Sequence, residues 1–235
     1  MFVGPKIIQD DLILTLDFGS DRCYPNSGTD CYNLNYELGA FSGSLINGPT
    51  VSQDGGGSLE FDGVNDHIRF YKDDINPGGF TYDYCTIYCW VKPSTSAYST
   101  SGTGANIITL ENVVEISIGD NSNGYSKLYY ASNPWAWYGT TDDVLTNGEW
   151  NLVTLTHSQN SRVLYVNGES VFSRSDSGAL ANGRSDMAWV TLMGRFSGTS
   201  SNVPGNLANV KMYSSVHTQS QIQYQFNKER SRFGV

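Results

Sequence analysis

Three groups of residues carry side chains that could do chemistry. Asp62, Asn65 and Asp66 offer two carboxylates and an amide close together, hard oxygen donors of the kind calcium takes. Glu111 and Asp120 could complete such a shell, although nothing in the spacing brings them near. A tight hairpin is the simpler account, because Asp62-Gly63 and Asn65-Asp66 supply turn geometry by themselves. The expected cofactor list is therefore empty, with Ca2+ at Asp62, Asn65 and Asp66 as the alternative. His67, His157 and His217 are scattered along the chain and form no ordered Ser-His-Asp set.

The segment Asn133-Pro134-Trp135-Ala136-Trp137-Tyr138-Gly139 concentrates aromatic rings. Three uses are open. Trp135 and Trp137 are two apart, so a strand would turn both toward a core. Trp and Tyr are also the residues that anchor protein interfaces. Finally, sugars present C–H faces that stack on aromatic rings, so Trp135, Trp137 and Tyr138 could form a glycan platform.

These groups sit in a chain that reads as strands. Aromatic residues make up 13% of the sequence and charged residues 16%, and 25 glycines supply turns. Leu12, Leu14, Leu16 and Phe18 alternate with Ile13, Thr15 and Asp17, the two-residue period of a strand. A glycine- and asparagine-rich loop is expected from there to about Gly43. Short strands follow at Ser58–Phe61 and His67–Tyr71, and Cys85–Val91 is apolar on both faces, as a central strand would be. Residues 94–105 read as a polar loop. Further strands are expected at Asn106–Leu110, Val113–Ile118, Ser126–Tyr130, Trp150–His157, Arg162–Val166, Ser170–Phe172, Ala188–Met193 and Asn206–Tyr213. Asn167-Gly168 is a strong hairpin signal. Thr218-Gln219-Ser220-Gln221 fits a capping box opening a C-terminal helix, with Ile222 and Phe226 on one face and Phe233 at or beyond its end.

The formal net charge of −9 repels phosphate backbones and argues against nucleic-acid binding. No apolar run is long enough to span a membrane. The N-terminus lacks the basic and apolar regions of a secretory signal, which points to synthesis in a cytoplasm. Cys85 and Cys89 share a strand face about 13 Å apart, too far to bridge, and are expected as buried thiols. Cys23 and Cys31 flank a turn-rich loop and could approach, but cytosolic synthesis favours the reduced pair.

Taken in order, Tyr24-Pro25-Asn26-Ser27-Gly28, Phe61-Asp62-Gly63-Val64-Asn65-Asp66, Thr86 to Pro93, Gly148 to Val153, Leu164-Tyr165-Val166-Asn167-Gly168 and Gly205 to Tyr213 resemble laminin-G-like, concanavalin A-like jelly rolls. The resemblance implies an all-β, two-sheet antiparallel β-sandwich with a short C-terminal helix, forming one domain over residues 1–235 with an N-terminal arm (1–9) and a helical tail (217–235). Glucanases of this family carry a Glu-x-Asp-x-(x)-Glu pattern. Here Glu60-Phe61-Asp62 is followed by Val64 and Asn65, and Glu111 to Glu115 lacks the Asp. An acid and nucleophile about 5 Å apart cannot be read from either, so no catalytic residue is assigned. Trp90 and Trp150 match packing positions of the family.

The closing Phe226-Asn227-Lys228-Glu229-Arg230-Ser231-Arg232-Phe233-Gly234, with the lead-in Pro5-Lys6-Ile7-Ile8, resembles laminin-G-like proteins of phages. That resemblance implies a non-enzymatic bacteriophage virion structural protein, a capsid decoration or a tail or fibre module, on the virion surface. Its partners would be capsid or tail proteins, further copies of itself and host-surface glycans. A carbohydrate-binding module of a bacterial surface protein is the alternative. The apolar arm would dock on a neighbouring subunit or pair within its own sandwich.

Overall fold

A computed structural model describes residues 8–35, 41–75, 84–95, 104–111, 113–119, 125–132, 136–175, 189–195 and 201–235. The first half of the chain gives β1 (Leu12–Asp17), β2 (Asp30–Tyr32), β3 (Ser42–Ile46), β4 (Thr50–Ser52), β5 (Ser58–Asp62), β6 (His67–Tyr71), the single turn α1 (Lys72–Ile75), β7 (Cys85–Pro93) and β8 (Ala105–Leu110). The second half gives β9 (Val114–Gly119), β10 (Tyr125–Ser132), β11 (Ala136–Gly139), β12 (Leu145–Thr146), β13 (Asn151–Ser158), β14 (Ser161–Val166), β15 (Glu169–Ser175), β16 (Trp189–Leu192), β17 (Pro204–Tyr213) and α2 (Gln219–Phe233).

These strands form two antiparallel sheets packed as a sandwich, the jelly-roll architecture the sequence implied. The first runs β15-β14-β13-β7-β17-β5-β4, with β1 also on β17; the second runs β11-β10-β9-β8-β16-β6-β3-β2, with β12 on β10. β17 serves two neighbours along one edge: Pro204–Leu207 pairs with β5 and Asn209–Tyr213 with β1. Leu14, Leu16, Phe61, Phe70, Ile87, Ile116 and Val210 belong to the buried cluster between the sheets. β7, apolar on both faces, is central between β13 and β17. Its second face lies under a third layer, the helix α2, and Tyr88, Trp90, Trp150, Leu152, Tyr213, Ile222 and Phe233 make that smaller core.

The helix starts where the capping box predicts. Gln221 N–H donates to Thr218 Oγ1, and Thr218 N–H donates to Gln221 Oε1. Its end is Gly234 at φ 73°, a left-handed cap natural to glycine. Phe233 lies inside the helix and stacks on Trp90 at 4.0 Å and 17°. Trp90 Nε1 donates to Glu229 Oε2 (2.8 Å), and Lys211, 2% exposed, pairs with the same carboxylate. Arg232 bonds Asp17 Oδ1 (2.8 Å) and the carbonyls of Gly55 (2.6 Å) and Gly57 (3.0 Å). The closing residues of the tail thus fasten a helix to a sheet.

The structure adds short strands to the expected ones and places the end of the N-terminal arm. The loop expected up to Gly43 contains β2, whose pattern is exposed-buried-exposed; three residues paired with β3 need no hydrophobic alternation to be a strand. β11 and β12 are short edge strands held by β10. Of the N-terminal arm, residues 1–7 lie outside the described residues. Ile8 and Gln9 join the sandwich, through Tyr213 Oη to Ile8 O (3.1 Å) and Leu12 N to Gln9 O (3.2 Å).

Candidate functional site

The outer face of the second sheet carries one continuous cross-strand row. The register sets Trp137 beside Ala131, Ala131 beside Glu115, Glu115 beside Thr109, Thr109 beside Thr191, and Thr191 beside Arg69. Ser44 and Asp30 extend it toward the far edge. In the intervening positions Leu110, Val114, Ile116, Ile118, Leu128 and Tyr130 turn inward to the core. The period of two thus sorts an apolar face from a polar one on the same strands.

Glu115 is the charged centre of this row and is fully buried. Arg195 Nε lies 3.0 Å from its Oε2, and Asn106 Nδ2 donates to Oε2 at 2.7 Å. Asn106 Nδ2 also donates to Thr109 Oγ1 (2.9 Å), Ser117 Oγ donates to Asn106 Oδ1 (2.7 Å), and Thr109 Oγ1 donates to Gly194 O (3.2 Å). Gly194 and Arg195 follow β16 and fold across the face. The Arg195 guanidinium sits 6.0 Å from the centre of the Trp137 ring, so a buried carboxylate and an amide hold an arginine beside a half-buried indole. At the other end Arg69 stacks on Trp189, Cζ 4.1 Å from the ring centre. Trp189 in turn lies against Tyr71 with centroids 3.9 Å apart.

The aromatic segment is therefore divided. Trp135 lies outside the described residues. Trp137 shares the outer row, so a core-facing Trp137 is not what forms. Tyr138 turns the other way, packs at 5.8 Å from Tyr130, and carries Arg174 at 3.5 Å over its ring. Neighbouring strand residues point to opposite faces, and β11 as an edge strand has a solvent side that a central strand would lack.

The group at Asp62, Asn65 and Asp66 is a hairpin. Asp62 Oδ1 accepts from the N–H groups of Val64 (2.8 Å), Asn65 (3.3 Å) and Asp66 (3.5 Å), and Asp66 Oδ2 accepts from Asp62 N–H (3.2 Å). Burial pushes the Asp66 carboxyl up, and the charge of Asp62 adds to it, against the Asp62 N–H bond. Glu111 is not brought to this turn. Val190 pairs with both Phe70 and Leu110, which sets Glu111 at the far end of β6 from Asp66. Asp120 lies outside the described residues. Glu60 and Asp62 line a cleft of about 360 Å³ with Lys92 and Asn206 on the outer face of the first sheet, but Asp62 is spent on its turn.

The histidines remain apart, on β6, on β13 and before α2. His217 Nδ1 lies 2.8 Å from Tyr88 Oη, and burial lowers its pKa to about 4. All four cysteines are buried free thiols.

The alternation of Val114, Ile116 and Ile118 with Glu115 and Ser117 already sets a polar pair on the second face of this strand, although the family's catalytic pattern gives Glu115 no partner; in the fold both are buried.

Residues 61–223 match the family model for laminin-G-type domains of the concanavalin A-like lectin/glucanases superfamily. The fold resembles domain 4 of AbnA, a GH43 extracellular arabinanase from Geobacillus stearothermophilus solved with arabinotriose, at 15% identity and TM-score 0.66 over 94% of this chain and 100% of that one. It also resembles the binding domain of Paraclostridial Mosquitocidal Protein 1, at 16% identity and TM-score 0.68 over 92% of this chain and 52% of that one. A Bacteroides ovatus protein named for carbohydrate binding aligns at 25% identity and TM-score 0.52, over 67% of this chain and 44% of that one. No curated protein matches the sequence.

Proposed function

Because this chain belongs to the concanavalin A-like lectin/glucanases superfamily, we propose that it is a non-enzymatic recognition module that binds an extended carbohydrate across the outer face of its second sheet. The observation that carries this reading is the aromatic and guanidinium group at each end of the row, Trp137 beside Arg195 and Trp189 between Arg69 and Tyr71, while Glu115, Thr109 and Thr191 between them are fully buried and support the face from beneath. Small-molecule sites combine aromatic walls with a few fixed polar groups in this way. The arabinotriose of the arabinanase domain and the name of the Bacteroides protein support a sugar as the ligand.

Hydrolysis is disfavoured by the surroundings of Glu115. A retaining mechanism needs a second carboxylate about 5 Å away, and the adjacent positions are Thr109, Ala131 and Ser117. Both oxygens of Glu115 are engaged by Arg195 and Asn106.

Binding of the purified protein to an array of host-surface and plant-type glycans tests the reading. A specific signal that falls at least tenfold in Trp137→Ala, with an unchanged melting temperature, supports it; an array without signal overturns it.

A second reading keeps the same face as a protein interface on a bacteriophage particle, with capsid or tail proteins or further copies of the chain as partners. Trp137, Trp189, Tyr71, Arg69 and Arg195 are residue types that anchor interfaces, and the resemblance of the termini supplies the setting. Loss of the protein from particles in the Trp137→Ala variant, without glycan binding by the wild type, would favour it.

A further inference from the structure

We propose that Arg69, Trp189 and Tyr71 form a subsite for the carboxylate of an acidic sugar; this rests on the carbohydrate reading of the outer face and names the ligand class. Trp189 and Tyr71 are directly opposed across the β16–β6 ladder, and Arg69 and Thr191 form the next pair on the same face. The three side chains make a stack, guanidinium on indole on phenol, with separations of 4.1 and 3.9 Å. Tyr71 is 59% exposed, so the stack opens to solvent.

Contact with the indole face, at 4.1 Å from the guanidinium carbon to the ring centre, restrains the Arg69 head group. Its N–H donors can take a carboxylate in the two-bond manner that arginine favours. No ion pair joins Arg69 to a carboxylate among the described residues; its neighbours across the strands are the buried Thr191 and the exposed Ser44, whose hydroxyl is suited to a sugar hydroxyl. Two residues back on the same face, His67 leaves Nε2 without a hydrogen-bond partner among the described residues. Arg195 differs, since Glu115 already neutralises it.

Charge narrows the ligand further. A protein of net charge −9 repels polyanions, so the fitting glycan carries isolated carboxylates between neutral units and is not a densely sulfated chain. β11 and β16 are four strand spacings apart, about 19 Å, so the Trp137 end and the acidic end are separate positions on the face.

The test is calorimetric titration of the full chain with oligouronides and sialylated oligosaccharides, each beside its carboxyl-reduced or desialylated counterpart. Wild type should bind at least one acidic member tenfold or more tightly than its neutral counterpart. Arg69→Gln should bring the two to equal affinity, Arg69→Lys should restore part of the preference, and Trp189→Phe should weaken it, all with unchanged melting temperatures. If acidic and neutral glycans bind wild type equally, or Arg69→Gln keeps the preference, the subsite is refuted while the carbohydrate reading stands. If heparin binds more tightly than every carboxylated glycan, the subsite is likewise refuted. If no glycan binds, both readings fall.

Discussion

Arg195 Nε lies 3.0 Å from Glu115 Oε2 and 3.1 Å from Oε1, yet the two partners are unequally buried: the glutamate side chain is fully buried and the arginine is 28% exposed. The two deletions should therefore differ. In Glu115→Gln the arginine can turn to water, and the loss should be about 1 kcal/mol. Arg195→Ala leaves a carboxylate buried against the Asn106 amide, a cost of about 3 kcal/mol. Urea unfolding of both variants measures the difference. Equal losses would mean that Arg195 does not neutralise Glu115.

The helix should come away as a unit. Phe233 is buried against Trp90 and Trp150, and Phe233→Ala removes that contact at a cost of about 3 kcal/mol. Glu229→Ala leaves the Lys211 ammonium buried with the Asn209 amide oxygen at 2.7 Å as its remaining side-chain partner among the described residues, a loss of similar size. In both variants the tryptophan emission should shift to the red before the strand signal in circular dichroism melts. A single coincident transition would show that the helix and the sandwich unfold together.

The features legible in the sequence were those with local causes. The two-sided apolar run Cys85–Val91 became the central strand. Asn167-Gly168 became a hairpin turn with φ of 51° and 87°, and Thr218 and Gln221 became a capping box. Less legible were features whose partners lie far along the chain. β2, β11 and β12 exist because a longer strand pairs with them. Glu115 takes its meaning from Arg195, eighty residues later, and Arg69 from Trp189. The tail Phe226 to Gly234 read as a family mark. Within it, Phe226, Glu229, Arg232 and Phe233 are the residues that dock the helix on the first sheet.

Acid should weaken the fold through His217. Its folded pKa of about 4 lies below the ordinary 6.5 because of burial, with Asp11 acting weakly the other way. Between these values the unfolded chain binds a proton that the folded chain refuses, so stability falls as pH drops from about 6.5 to about 4. The full effect is on the order of 3 kcal/mol. Stability measured against pH for wild type and His217→Gln isolates it, since His67 and the carboxylates titrate in both. Parallel curves would show that His217 is not held neutral behind Tyr88.

The cysteines should be silent in the native protein. Burial pushes Cys23, Cys85 and Cys89 each to about 12, and Cys31 also upward. The thiolate is the reactive form, so at pH 8 a thiol reagent should label none of the four in the folded chain and all four after denaturation. For the same reason a reducing agent should leave the melting temperature unchanged. Cys23 and Cys31 are the pair to watch, because Tyr32 N–H donates to Cys23 O at 2.7 Å and brings the two segments side by side. A bridge there would close a short loop and add about 2 kcal/mol. Two labelled thiols after denaturation, with a melting temperature that falls by several degrees on reduction, would establish that bridge and overturn the expectation of free thiols.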